Sequence, residues 1–438
     1  MTAGGAGADG PRRHNARVIA VPSVLRVPAF RRVWLAGLAS NCGNWLQVVA
    51  AGWIVLQMTG SPAAVGALAL VARGPAFLLS LSGGQLADRF DRRRIGMWTF
   101  GLQAAAGAAM AVLSAAGALS VGVIFALTFA LGVGFALGLP AMLALIPALV
   151  PVERLGQAVS LNAAGINVAR LAGPAAGGLL FDLAGPTWCF ALNAVSFLAL
   201  IAVLAVVTPR AQPPRGAATG VGAALTVALH DRPLRRLLVG MALFTALASP
   251  VQELAPVVAA RLDAGPRGLG FLLGAMGGGA LLGAWLLETL HRAGLRRGTA
   301  LPVATLAFAV GLAGVALAPT TGVAIGAMAA CGVVWIWMFI ATNTAIQLRA
   351  PVSMVGRMLG LYQLVVIGPI ALGAAAAGAL ADVAGIRASL LLCALLLALW
   401  GAYALADRIP DVDGARAPEP GRARDRTGRG RRSPGRHA

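Results

Sequence analysis

Three ionisable side chains stand where charge is expensive: Arg73, Arg170 and Glu253 lie inside long apolar runs. An Arg at the centre of a membrane helix costs about 2.5–3.5 kcal/mol on insertion scales, so each needs a reason. Glu253 is the only carboxylate well inside a run. Desolvation favours the protonated form of a carboxylate, so Glu253 can accept a proton on one side and release it on the other. A potential of 100 mV supplies about 2.3 kcal/mol per charge moved. Its alternatives are a fixed salt bridge or a water-facing position near one mouth. Arg170 can anchor an anionic substrate, pair with Glu253, or bond the carbonyls freed around Pro174. Uncharged polar residues complete the set: Asn41, Asn44, Gln47, Asn162, Asn167, Gln252, Asn343 and Tyr362, with Gln347 and Gln363. They can line a central cavity or join helices by hydrogen bonds. Asn41, Asn44 and Gln47 recur at helical spacing, as a stripe facing away from lipid does. Trp45, Trp335 and Trp337 suit apolar or cation-binding walls.

No set of residues for bond-breaking chemistry accompanies them. His14, His230, His291 and His437 lie in tails or loops, and Cys42, Cys189, Cys331 and Cys393 sit singly in apolar runs. None has metal-ligand spacing. A chain without Lys has no phosphate-binding Gly-Lys-Ser/Thr. The expectation is a binding protein rather than an enzyme, with no cofactor or metal and a proton gradient as its energy source.

The elements that must hold these residues are apolar. Of 438 residues, 58% are hydrophobic and 11% charged, yet the net charge is +20. Soluble domains carry about 25% charged residues, so a soluble enzyme, a disordered protein and a nucleic-acid binder are excluded. Runs of spanning length cover roughly 34–58, 62–85, 95–117, 120–148, 157–182, 187–207, 235–260, 267–290, 299–318, 321–348, 357–381 and 387–406. Continuous runs near 20 residues predict membrane helices, not barrel strands. With both termini cytoplasmic, the inner loops hold fifteen Arg; the outer loops hold three, Arg261, Arg267 and Arg387. The positive-inside rule favours that orientation in the plasma membrane.

The chain also repeats itself. A shift of 204 brings Arg31-Arg32 onto Arg235-Arg236, Pro62 onto Pro266, Gly66 onto Gly270 and Arg92-Arg93 onto Arg296-Arg297. A shift of 200 brings Gly173 onto Gly373, Gly178 onto Gly378 and Asp182 onto Asp382. Six spans per copy imply a parallel repeat about an axis normal to the membrane. The expected organisation is a cytoplasmic tail over 1–29, a six-helix bundle over 30–207 and a cytoplasmic linker, part helix, over 208–234. A second bundle over 235–407 and a disordered Arg-rich tail over 408–438 complete it. The partners expected are a small-molecule substrate and the lipid bilayer, without nucleic acid, for a monomer.

Between the second and third runs the chain reads Gly84-Gln-Leu-Ala-Asp88-Arg89-Phe-Asp91-Arg92-Arg93-Arg94. Gly84 lets helices approach closely, and Asp88 can pair with Arg92 at i,i+4 on a helix. The stretch resembles the cytoplasmic loop signature of the major facilitator superfamily, with Asp91 in place of that family's second Gly. Residues Gly173-Pro174-Ala-Ala-Gly177-Gly178 resemble the antiporter signature of its proton-driven exporters. Phe30-Arg31-Arg32-Val-Trp34, Gly43-Asn44-Trp45-Leu-Gln47 and Gly356-Arg357-Met358 resemble the enterobactin-exporter-like branch. The resemblance implies an all-helical membrane fold of two six-helix halves. It implies an exporter of drug-like compounds, siderophores or secondary metabolites, with uptake, lipid flipping or a non-transporting receptor or membrane enzyme as alternatives. Gly84, Asp88, Arg89, Arg92 and Arg93 then form a conformational latch, and Gly173, Pro174, Gly177 and Gly178 a helix kink. The Arg that drug antiporters carry in their fourth helix has no counterpart in 120–148.

Overall fold

The computed structural model describes residues 22–89, 91–208, 221–292 and 297–406. Six long helices come first: α1 (Pro28–Thr59), α2 (Pro62–Arg89), α3 (Arg92–Ala115), α4 (Val121–Leu149), α5 (Leu155–Ala184) and α6 (Pro186–Val206). A short helix, α7 (Val221–His230), lies in the expected linker and rests on the last helix. The second series is α8 (Arg232–Ala248), α9 (Pro250–Glu253), α10 (Ala255–Arg261), α11 (Gly265–Arg292), α12 (Arg297–Leu317), α13 (Thr321–Arg349) and α14 (Val355–Ala406). Each apolar run read from the sequence falls on helix. The seventh run is in three pieces, and the last two are joined in α14, which bends at Gly385 (φ 82°).

Local chemistry sets the ends. Gly60 closes α1 in the left-handed region at φ 64°, and Pro62 opens α2 at a position where no amide hydrogen bond is lost. Asp91, Ser120, Asp231 and Thr320 each accept a hydrogen bond from an amide in the first turn of the helix they precede. Gly185 and Gly385, 200 residues apart, both take positive φ between consecutive helical segments.

Among the described residues, eight helical stretches are long and apolar enough to cross a membrane by length and composition. One of them runs through the bend at Gly385. α1 and α5 are long but fall outside the eight: Asn41, Asn44 and Gln47 dilute the first, and Asn162, Asn167 and Arg170 the second. α12 contributes a shorter apolar stretch, Leu301–Leu317.

α1 packs on α5 and α6, α3 on α4 and α6, and α2 on α4. In the second series α11 packs on α13, and α12 on α13 and α14. Two seams join the series, α2 against α14 and α5 against α11. Small residues bring the backbones together. A Cβ at Gly378 would lie 2.6 Å from the Pro62 carbonyl oxygen and 3.2 Å from Gly66 Cα. A Cβ at Gly178 would strike the Pro266 carbonyl and approach Gly270 Cα to 2.9 Å. This is the close, lipid-free packing that small residues permit in membranes.

Candidate functional site

The site begins with a helix that the sequence interrupts. Pro250 and Pro256 have no amide to donate to the carbonyls four residues back; Ser249 keeps helical angles (φ −62°, ψ −30°), and the chain leaves them at Leu254 (φ −96°, ψ 14°). The single turn between them, α9, carries Gln252 and Glu253.

There Glu253 meets Arg73. The Arg73 guanidinium Nη2 donates to Glu253 Oε1 at 2.5 Å. The Glu253 side chain is 12% exposed and that of Arg73 36%, so the carboxylate is the more secluded partner. Gln252 adds a weaker contact, its amide 3.4 Å from the same oxygen. The pair links α2 to α9 across 180 positions of chain.

Both partners line a cavity of about 340 Å³. Its polar wall includes Asn41, Asn44, Gln47 and Gln252; its apolar wall includes Trp45, Val65, Leu131, Phe135 and Leu273. Gln47 is committed: its carbonyl accepts from the Asn193 amide at 2.5 Å and its own amide points to the Met110 sulfur. Asn41 donates to the Gly37 carbonyl one turn back. The site therefore offers one ion pair, several amides and a broad apolar surface, which suits binding of an amphipathic molecule rather than bond cleavage.

The other expected residues are placed elsewhere. Asn162 lines a neighbouring hollow, and Asn167 bonds the Ala163 carbonyl of its own helix. Asn343 accepts from Gln347 at 2.5 Å. Tyr362 is buried at 2% exposure, its hydroxyl 3.4 Å from the Phe339 carbonyl. Arg170 has no hydrogen-bond or ion-pair partner among the described residues, and its Nε is buried. Gly173 and Gly177 let α5 ride on α1: a Cβ there would sit 2.7 Å from Trp45 Cβ and 3.0 Å from Leu46 Cα respectively.

The Arg-rich turn is described in part. The side chains of Gly84, Asp88, Arg89 and Arg92 lie outside the described residues. α2 ends at Arg89 and Asp91 caps α3, so Asp88 and Arg92 belong to two helices rather than one. Arg93 donates to the carbonyls of Leu204 and Ala205 at the end of α6, where a cation complements the helix dipole.

A largely apolar cavity between two helical series, with one ion pair in its wall, sets the geometry, and comparison with known proteins decides the family. The model of the transmembrane secretion effector family matches residues 20–423. The chain belongs to that family. This transmembrane secretion effector is a multi-pass membrane protein of the major facilitator superfamily, not an enzyme. It is 30% identical over 363 residues to the enterobactin exporter EntS of Salmonella choleraesuis (strain SC-B67), covering 81% of this chain and 86% of that one. It is 29% identical over 404 residues to the multidrug efflux pump Tap of Mycobacterium tuberculosis (strain ATCC 25618 / H37Rv), covering 88% and 94%. Among solved structures it shares its fold with a bacterial homologue of the human lysosomal transporter Spinster in an inward-facing, occupied conformation. That match has TM-score 0.70 and 16% identity over 88% of this chain and 97% of the other. A POT family transporter bound to 5-aminolevulinic acid matches with TM-score 0.69 and 12% identity, over 91% and 98%.

Sequence reasoning about this effector missed two cavity residues. Gln103 and Thr128 line the site, and the Thr128 hydroxyl is buried without a partner. Thr128 sits singly in an apolar helix, and Gln103 follows Thr99 by one turn and donates to its carbonyl. A lone hydroxyl or amide in a spanning run is the one available signal.

Proposed function

We propose that this effector exports a small amphipathic molecule, drug-like, siderophore or secondary metabolite, by proton-coupled alternating access in the plasma membrane. Twelve spans form two six-helix halves in parallel repeat, α8–α10 counting as one span and the two limbs of α14 as two. Both termini face the cytoplasm, as the Arg distribution favours. The observation that carries this reading is the Arg73–Glu253 pair at 2.5 Å in the wall of the central cavity. With Glu253 ionised, the pair ties the halves together; a proton on Glu253 releases Arg73 and lets α2 and α9 part. Protons arriving from outside and leaving inside then drive the halves between two states. The Gly84, Asp88, Arg89, Arg92 and Arg93 turn holds the cytoplasmic side when the outer side opens. The two relatives named, exporters of a siderophore and of drugs, support export over uptake. The protein works as a monomer and needs no cofactor.

The test is proteoliposome efflux under an imposed pH gradient and potential. Glu253→Gln should lower the steady-state substrate gradient about fortyfold at 100 mV, the equivalent of one uncoupled charge. Unchanged gradients in that variant, with a protonophore still collapsing transport, would place the proton site elsewhere.

A further inference from the structure

A second hollow of about 140 Å³ adjoins the central cavity, and the two share Asn41, Asn44, Gln103 and Phe135 in their walls. Its remaining surface is dominated by apolar side chains such as Phe30, Leu38, Phe100, Met142, Ile146 and Leu200, and no charged residue lines it. A Cβ built on Gly37 meets nothing within 4 Å, so the missing side chain there is open space.

The repeat shows that this space belongs to one half only. In the second series the matching positions enclose a hollow of about 30 Å³. Leu237 and Met241 stand there 204 residues after Val33 and Gly37, and Met338, Thr342 and Trp400 stand 200 after Gly138, Met142 and Leu200. Nearby, Phe244 takes the place of Ser40 and packs edge-on against Phe308, ring centres 5.1 Å apart. The second copy fills with aromatic and methionine side chains what the first leaves empty.

We infer that this lobe seats one aromatic ring, or an alkyl branch of similar bulk, of the transported molecule. The molecule's polar part then lies in the central cavity beside Arg73 and Glu253. The lobe's volume of about 140 Å³ is close to the ~150 Å³ that accommodates benzene in an apolar cavity. The shared wall commits the occupant to the substrate, because a group in the lobe is continuous with the ion pair's cavity. The inference rests on the export reading and narrows its substrate class.

The experiment measures equilibrium binding of three neutral probes to the full chain in nanodiscs: methyl, phenyl and 9-anthracenyl β-glucoside. The phenyl probe should bind at least ~10-fold tighter than the methyl and the anthracenyl probes. Gly37→Met, the second half's residue, should erase the phenyl advantage, and Gly37→Ala should erase part of it. Size-exclusion profiles identify any misfolded variant, and Gly37→Ala then carries the test. Equal binding of the three probes, or an advantage that survives Gly37→Met, overturns the inference. So does a co-purifying phospholipid that is lost in Gly37→Met, since it makes the occupant a lipid chain. Efflux of the phenyl probe is measured in parallel. Phenyl selectivity without proton-driven efflux refutes the export reading alone; efflux without phenyl selectivity refutes the lobe alone.

Discussion

The seam between α2 and α14 and the seam between α5 and α11 have the same backbone plan and different side chains. Gly378 rides over Pro62 and Gly66, and Gly178 rides over Pro266 and Gly270. On the first seam, Asp382 accepts from the Ser61 hydroxyl at 2.8 Å and from the Ala63 amide at 3.1 Å, so it caps α2 from the opposite series. On the second, Asp182 occupies the matching position, is exposed, and has no partner among the described residues. Gly265 replaces Ser61 there and takes φ 64°, so the hydroxyl is missing and the backbone is turned. Arg73, on the first seam, matches Gly277 on the second, whose Cβ would meet the backbone of Arg170. Repeated glycines make both seams close, while the unrepeated Ser61 and Arg73 give α2 a cap and an ion pair to the opposite series that α11 lacks among the described residues.

The largest expected effect concerns what the seams share. Gly178→Leu and Gly378→Leu should each destabilise the protein by ~1–3 kcal/mol or more through overpacking against backbone. Thermal unfolding in detergent would read this, and tolerance at one site alone would break the equivalence. Asp382→Asn comes next. It keeps the shape but loses a charged acceptor at a helix N-terminus, worth roughly 0.5–2 kcal/mol. The population with the α2 and α14 ends apart should rise about 2- to 30-fold, measurable as a spin-label distance distribution. An unchanged distribution would mean that the cap does no latching. The smallest effect is Asp182→Asn, expected within ~0.5 kcal/mol of the parent in the same assays. A response as large as that of Asp382→Asn would show that both seams are latched.

Much of this was legible along the chain. Spacings of 200 and 204 bring the seam glycines into register before any coordinates exist. The run 235–260 reads as one continuous span, and its division around Pro250 and Pro256 appears only in the structure. The partner of Glu253 was not legible. The sequence left a fixed salt bridge open and offered Arg170 as one candidate partner, yet Arg73 holds the carboxylate, because side-chain approach depends on how α2 and α9 cross. Asp382 reads as a residue at a span end; its role as a cap in trans exists only because α14 delivers it to the start of α2. Tyr362 reads as a cavity residue and instead fills the interior beside Phe339. A polar residue in an apolar run has two ways to be satisfied, by a cavity or by a neighbouring helix, and local sequence does not distinguish them.

The chain by itself determined a membrane protein of many helices, their ends, their repeat and the three costly charges, because hydrophobicity, capping and glycine or proline geometry act over a few residues. Only the tertiary structure decided which charges meet, which repeat keeps an open lobe and which seam is capped. Those outcomes depend on distances between residues about 180 to 320 positions apart. Matching sequence positions then differ through single residues, Gly37 against Met241 and Ser61 against Gly265, whose effect is set by what stands opposite.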